Sequence, residues 1–190
     1  MSAGMGRWEA NPRGRLMQAA MELYAERGYE QTTVAEIAQR AGLTERTFFR
    51  HFADKREVLF SGAALLQEAI VNAVAEAPES AAPIEAVAAG IEAAGDYIND
   101  REHSRRRHAI IAANPTLQER ELIKNAALAA AIAAALRKGG VTEPAANLTA
   151  EAGVAVFRVA FERWLKETGE KDLRAVIRES MEELRGAVAR

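Results

Sequence analysis

The chain has 190 residues, with 27 acidic against 25 basic side chains, 49% hydrophobic residues and no cysteine. The missing cysteine excludes disulfide scaffolds, thiol catalysis and cysteine zinc sites. The near-cancelling charge means that a nucleic-acid partner must be read from motifs, not from bulk charge.

Residues 1–14 contain no apolar run suited to a signal peptide. Leu16, Ala19, Ala20, Leu23 and Tyr24 fall on one face of a first helix, which stops at Gly28. Thr33-Val34-Ala35-Glu36 reads as a capping box and opens a second helix, which runs to Gly42. Leu43-Thr44 is a turn, and Thr44 caps a third helix from Glu45 to about Phe52. Asp54-Lys55-Arg56-Glu57 repeats the capping logic and opens a long fourth helix, ending before Pro78. Pro83 suits the first turn of a fifth, which runs to about Glu102. A short basic helix follows over 104–113. Asn114-Pro115 stops it and starts the next, which ends at Gly139-Gly140. Pro144 opens another, to about Thr168, and Asp172 caps the last.

The expectation is an all-α protein of about nine helices, in keeping with 42 alanines and 6% aromatic residues, since alanine favours helix over strand. The longest uncharged stretch of the C-terminal half, 125–136, is 12 residues, against the ~20 that a membrane span needs. A soluble cytoplasmic protein with no membrane partner follows.

Three short helices with a tight Gly42-Leu43-Thr44 turn between the second and third describe a helix-turn-helix. Ile37, Ala38, Ala41 and Leu43 can bury against Phe48 and Phe52, and Gly42 permits the sharp turn. The opposite face of the third helix then carries Glu45, Arg46, Phe49 and Arg50 outward. A recognition helix enters the major groove with its N-terminal residues at the base edges.

The run from Thr32 to Lys55 resembles the N-terminal signature of the TetR/AcrR family of repressors, over about residues 13–60. The resemblance implies an N-terminal helix-turn-helix domain, 1–54, and a C-terminal helical ligand-binding and dimerisation domain, 55–190. It implies a homodimeric transcriptional regulator, acting as a repressor, that binds a palindromic double-stranded DNA operator and is released by a small effector. Position by position, it implies that Thr33 and Thr44 meet phosphates through helix-capping hydroxyls and N–H groups. Lys55 matches the family's phosphate-binding lysine, and His51 a phosphate-side position. Glu45, Arg46 and Thr47 fall where bases are read, with Arg46 suited to bidentate pairing with guanine. Arg50 reaches a base or a phosphate. The family usually has Tyr where this chain has Phe49; the phosphate bond of that hydroxyl is lost, leaving a thymine methyl or a sugar as partner. Against each stands a plain alternative: Glu45 favours a helix N-terminus, and Arg50, Lys55 and His51 are solvated surface groups. Trp8 with Arg7, Arg13 and Arg15 either forms a minor-groove arm or packs its Trp on the first helix.

In the second region Leu173, Ile177, Met181, Leu184 and Val188 step by 4, 4, 3 and 4 into one apolar stripe. Gly153, Phe157, Phe161 and Trp164 form another on the preceding helix. In the resembled family the last two helices build the dimer interface, which assigns Trp164 and the stripe to it; the alternative is an intramolecular core. The stretch from Arg105 to Trp164 is similar to the C-terminal domain of mycofactocin-type regulators, which implies a hydrophobic, acyl-chain-like effector. Tyr97, His108, Ile110, Ile111, Asn114, Leu128, Phe157 and Phe161 are the pocket candidates, with plain core packing as their alternative. Arg105-Arg106-Arg107 opens the sixth helix against its dipole, so an ion-pair network with Asp96, Asp100 and Glu102 is expected.

An enzyme is not expected. His51, His103 and His108 each lack a Glu three residues earlier, as a di-iron bundle would need, and no phosphate loop or nucleophile elbow is present. Asp96, Asp100 and His103 share a helical face, read as solvated in preference to a metal site. No catalytic residue, metal or cofactor is assigned. The rival functions are a helical protein-interaction module and a metal-binding helical protein, both without DNA binding.

Overall fold

The computed structural model describes residues 11–78 and 80–188. Among the described residues there are ten helices and no strand. The helix count exceeds the nine expected because the predicted fourth helix is two: α4 (Lys55–Leu59) and α5 (Ala63–Ala75). Phe60 leaves helical geometry at φ −110° and ψ 12°, and its ring is buried. Ser61-Gly62 follows, and glycine is among the weakest helix formers. The chain divides into two compact units: the described residues up to Ser61 with Arg105–Glu121, and Gly62–Ser104 with Leu122 onward.

The first unit is built on α1 (Pro12–Arg27), α2 (Val34–Arg40), α3 (Glu45–His51) and α4. Leu16, Leu23, Tyr24, Ile37, Phe48, Phe52, Leu59 and Phe60 form its core. The turn between α2 and α3 needs Gly42, whose φ is +64°, a region that a side chain disfavours. A Cβ there would also stand 2.7 Å from Arg15 Nη2. The Gly42 and Leu43 N–H groups turn back to the carbonyls of Gln39 (2.9 Å) and Ala38 (2.8 Å).

The same core takes Ile110, Ile111 and Leu117, from the end of α7 (Arg101–Ala112) and the start of α8 (Pro115–Lys138). Arg107 Nε donates to the Leu59 carbonyl at 2.6 Å. Its guanidinium lies 5.1 Å from the Phe60 ring centroid and 3.5 Å from Glu121. Burial pushes that guanidinium down from its ordinary range, and Glu121 opposes the shift. Arg120 pairs with Glu57 at 2.6 Å. Because α7 starts at Arg101, Arg107 is mid-helix and finds its partners at Leu59 and Glu121, not among the upstream acids. Asp96 instead pairs with Arg174 at 3.3 Å, and Asp100 accepts from the His103 N–H at 2.9 Å.

The second unit holds α5, α6 (Pro83–Tyr97), α9 (Glu143–Lys166), α10 (Leu173–Val188) and the remainder of α8. Ile70, Val87, Ile91, Ile132, Trp164 and Ile177 are among its core. Arg101 lies 5.1 Å from the Trp164 ring centroid and donates to the carbonyls of Glu167, Gly169 and Lys171, tying the α9–α10 loop. Where α9 crosses α6, a Cβ on Gly153 would stand 2.2 Å from Val87 Cγ1. Val87 is fully buried and β-branched, so it has little rotamer freedom to withdraw. Gly153→Ala is therefore expected to lower stability by about 1–3 kcal/mol through overpacking, outweighing a helix-propensity gain of ~1 kcal/mol. Urea denaturation reads the difference. Among the described residues no helix is long and apolar enough to cross a membrane.

Candidate nucleic-acid interface

The exposed face of α3 is fixed by its buried one. Phe48 is fully buried and Phe52 nearly so, which turns Glu45, Arg46, Phe49 and Arg50 outward, with Thr47 half-buried. Thr44 Oγ1 accepts the Thr47 N–H at 3.2 Å and shares a 3.1 Å hydrogen bond with Thr47 Oγ1. Two hydroxyls sharing one bond leave one O–H for an outside acceptor.

The arginines of this unit sort into two groups. Arg27 pairs with Glu36 (2.8 Å), Arg40 with Glu26 (2.8 Å) and Glu22 (3.3 Å), and Arg56 with Asp54 (2.6 Å). Arg13 donates to the Ser61 carbonyl at 2.9 Å and covers the Phe52 ring. Arg15 donates to the Ala41 carbonyl. Arg13 and Arg15 are thus internal ties, where an arm would need them free; Arg7 and Trp8 lie outside the described residues. Arg46 and Arg50, by contrast, are exposed and form no ion pair among the described residues.

Other predicted contacts carry prior commitments. The Thr33 hydroxyl accepts the Glu36 N–H at 3.2 Å and donates to Glu36 Oε2 at 2.9 Å, and the Thr33 N–H donates to the same Oε2 at 2.9 Å, completing the capping box. The Thr33 hydrogen bonds, with Arg27 nearby, hold the Glu36 carboxyl below its ordinary range. Burial alone would raise the Asp54 carboxyl, but Arg56 and the N–H groups of Glu57 and Arg56 hold it low. His51 is half-buried, and its Nε2 is buried without a hydrogen-bond partner among the described residues. The resemblance gives Lys55 to a phosphate; the structure gives its ammonium to the carbonyls of Tyr29 (2.9 Å), Glu30 (3.2 Å) and Thr32 (2.9 Å). It also lies 4.4 Å from the Tyr29 ring centroid.

The pocket candidates are distributed over both units. His108, Ile110, Ile111 and Asn114 belong to the first unit. Ile111 is core there, and Asn114 Nδ2 donates to the Ile110 carbonyl at 2.6 Å. Leu128 and Phe157 share the second unit's core, with Phe161 packed against it, and the two Phe rings stack at 6.2 Å. Tyr97 is 58% exposed. Two solvent-open hollows on the first unit are lined by Arg40 and its neighbours, with Glu22 in one and Arg27 and Glu36 in the other.

The predicted interface residues are mostly interior. Gly153, Trp164, Leu173, Ile177 and Met181 are buried within one chain, while Phe161 and Leu184 are half-buried and Val188 is exposed. A different α9 stripe is open: Leu148 and Val159 are 74% and 53% exposed, with Ala152 half-buried and Ala155 exposed between them. Its i, i+4, i+7, i+11 spacing is readable in the sequence, but α9 is apolar on several sides and the pattern does not choose among them.

Two family models match the chain: bacterial regulatory proteins of the tetR family over residues 16–61, and the MftR C-terminal domain over 81–189. The transcriptional regulator TcmR of Streptomyces glaucescens is 37% identical over 90 residues, 47% of this chain and 40% of that protein. The transcriptional activator FasR of Mycolicibacterium smegmatis is 31% identical over 111 residues, 56% of this chain and 48% of its own. The matches thus span under half the length of these two relatives. The crystal structure of the regulator FadR from Bacillus subtilis, in complex with stearoyl-CoA, superposes with a TM-score of 0.62 at 20% identity, covering 90% of this chain and 96% of that one.

Proposed function

We propose that this chain, which belongs to the TetR family of bacterial transcriptional regulators and carries its DNA-binding helix-turn-helix, is a cytoplasmic homodimeric repressor of a palindromic operator, released by a hydrophobic effector. It is not an enzyme. The observation that carries the DNA-reading assignment is the α3 face, where Arg46 and Arg50 stand exposed with no ion pair among the described residues, while neighbouring arginines are committed. In this reading Arg46, with Glu45 and Thr47, meets base edges, and Arg50, the Thr44–Thr47 hydroxyl pair, Thr33 and His51 lie along the backbone. Phosphate contacts set position and base contacts set sequence.

A two-fold dimer places its recognition helices roughly 34 Å apart, one turn of DNA, as a palindrome requires. The open α9 stripe supports the second copy as its occupant. Leu128, Phe157 and Phe161 are the apolar groups from which an effector site in the second unit would be made. An acyl chain suits them, and the stearoyl-CoA complex of the Bacillus subtilis neighbour is in keeping with that class. The effector acts by binding more tightly to a state whose recognition helices no longer match the half-site spacing.

Selection of bound sites from random DNA, followed by titration, tests the reading. The expected product is a palindrome whose affinity falls steeply with salt, as counterion release demands. Arg46→Ala is expected to relax one operator position at a cost of about 1–3 kcal/mol. Adding a long-chain acyl-CoA is expected to release the DNA. Recovery of no enriched sequence would overturn the operator reading; full retention of DNA with every acyl chain tested would overturn the effector.

A further inference from the structure

Phe49 is a large apolar ring, 55% exposed, on the face that also bears Arg46 and Arg50. Its ring stands edge-on to the fully buried Phe48 ring, with centroids 5.5 Å apart and planes at 82°. Phe48 is itself in ring contact with Phe52, with centroids 5.5 Å apart. The exposed ring is therefore held against the core on one side, with 55% of the residue's surface open.

Direction follows from helix geometry. Phe49 is four residues after Glu45 and three after Arg46, and helical side chains lean toward the N-terminus. The ring thus covers the turn that carries Glu45 and Arg46. A phenyl group has no hydrogen-bonding atom, so it takes no part in phosphate binding or in the donor–acceptor code of the bases. In the major groove the one apolar group a base pair offers is the thymine C5 methyl.

We propose that Phe49 is a specificity-determining residue that reads a thymine methyl beside the base met by Arg46. The proposal rests on the operator reading above and adds to it a hydrophobic readout. The chain then discriminates T·A from C·G at that position by methyl burial, with no hydrogen bond from residue 49.

The test uses the full chain and its selected operator, with each thymine replaced in turn by deoxyuridine, which differs only in lacking the methyl. One thymine per half-site, adjacent to the position relaxed by Arg46→Ala, is expected to be sensitive. Affinity should fall about threefold to fivefold per methyl, the worth of one buried CH2-sized group. Phe49→Ala, at an exposed position, is expected to bind more weakly and to ignore the uracil substitution; Phe49→Leu is expected to keep part of it. Equal loss on thymine and uracil operators in Phe49→Ala would place the ring on a sugar and overturn the proposal. So would insensitivity of the unaltered protein to every uracil. Failure to obtain any operator would instead fall on the DNA-reading assignment.

Discussion

The double variant Leu148→Glu/Val159→Glu is expected to sediment as a monomer and to bind operator on the order of a hundredfold or more weakly, with its helical content unchanged. Both residues are largely exposed in the single chain, at 74% and 53%, so replacing them leaves the second unit's core of Val87, Ile132, Trp164 and Ile177 untouched. A two-fold interface meets each substitution twice. Four carboxylates would then be carried into an apolar contact, and each unpaired buried ion costs several kcal/mol. The operator effect is larger because the second half-site is bound intramolecularly in a dimer; without that linkage an avidity of about 10²–10⁴ disappears. Sedimentation velocity and anisotropy on the same samples give the two readings. A variant that stays dimeric would move the interface off this stripe. Ile177→Ala, by contrast, opens a cavity in a fully buried site and is expected to cost about 2–5 kcal/mol of stability.

What is legible in the sequence is local. Thr33 with Glu36, Gly42, Thr44 and the Phe48–Phe52 pair lie within twenty residues of one another, so caps, turn and core all agree before any long-range contact is made. The break between α4 and α5 is different. Phe60 leaves the helix to fill a core completed by Ile110 and Leu117, some fifty residues later, and no window around Phe60 contains that information. The same applies to Arg107, whose partners at Leu59 and Glu121 lie on other helices. The stripe from Leu173 to Val188 is a true apolar periodicity, but periodicity reports burial without saying by which chain. Likewise Ile111 and Phe157 are both buried, each in the core of its own unit, and burial alone does not name a ligand.

Lys55→Met separates a structural lysine from a phosphate-binding one. The ammonium has three protons, and it faces three carbonyls, those of Tyr29, Glu30 and Thr32. The residue's own carbonyl accepts from Tyr24 Oη at 2.7 Å, so α1, the α1–α2 loop and the start of α4 meet at this one residue. Methionine preserves most of the stem's packing and removes the charge. Hydrogen bonds to a charged group contribute about 1.5–3 kcal/mol each, and carbonyls that regain water recover part of it, so a net loss of about 2–4 kcal/mol is expected. A phosphate-binding role predicts the opposite pair of results: unchanged stability, and a log–log salt slope of operator binding shallower by about 0.9 for each phosphate no longer neutralised. The carbonyl cage predicts a lower denaturation midpoint with the slope preserved, because the loop that positions Thr33 and α2 loosens while the number of phosphates neutralised stays the same. Denaturation and a salt titration of one preparation decide between the two, and a shallower slope at full stability would return Lys55 to the DNA backbone.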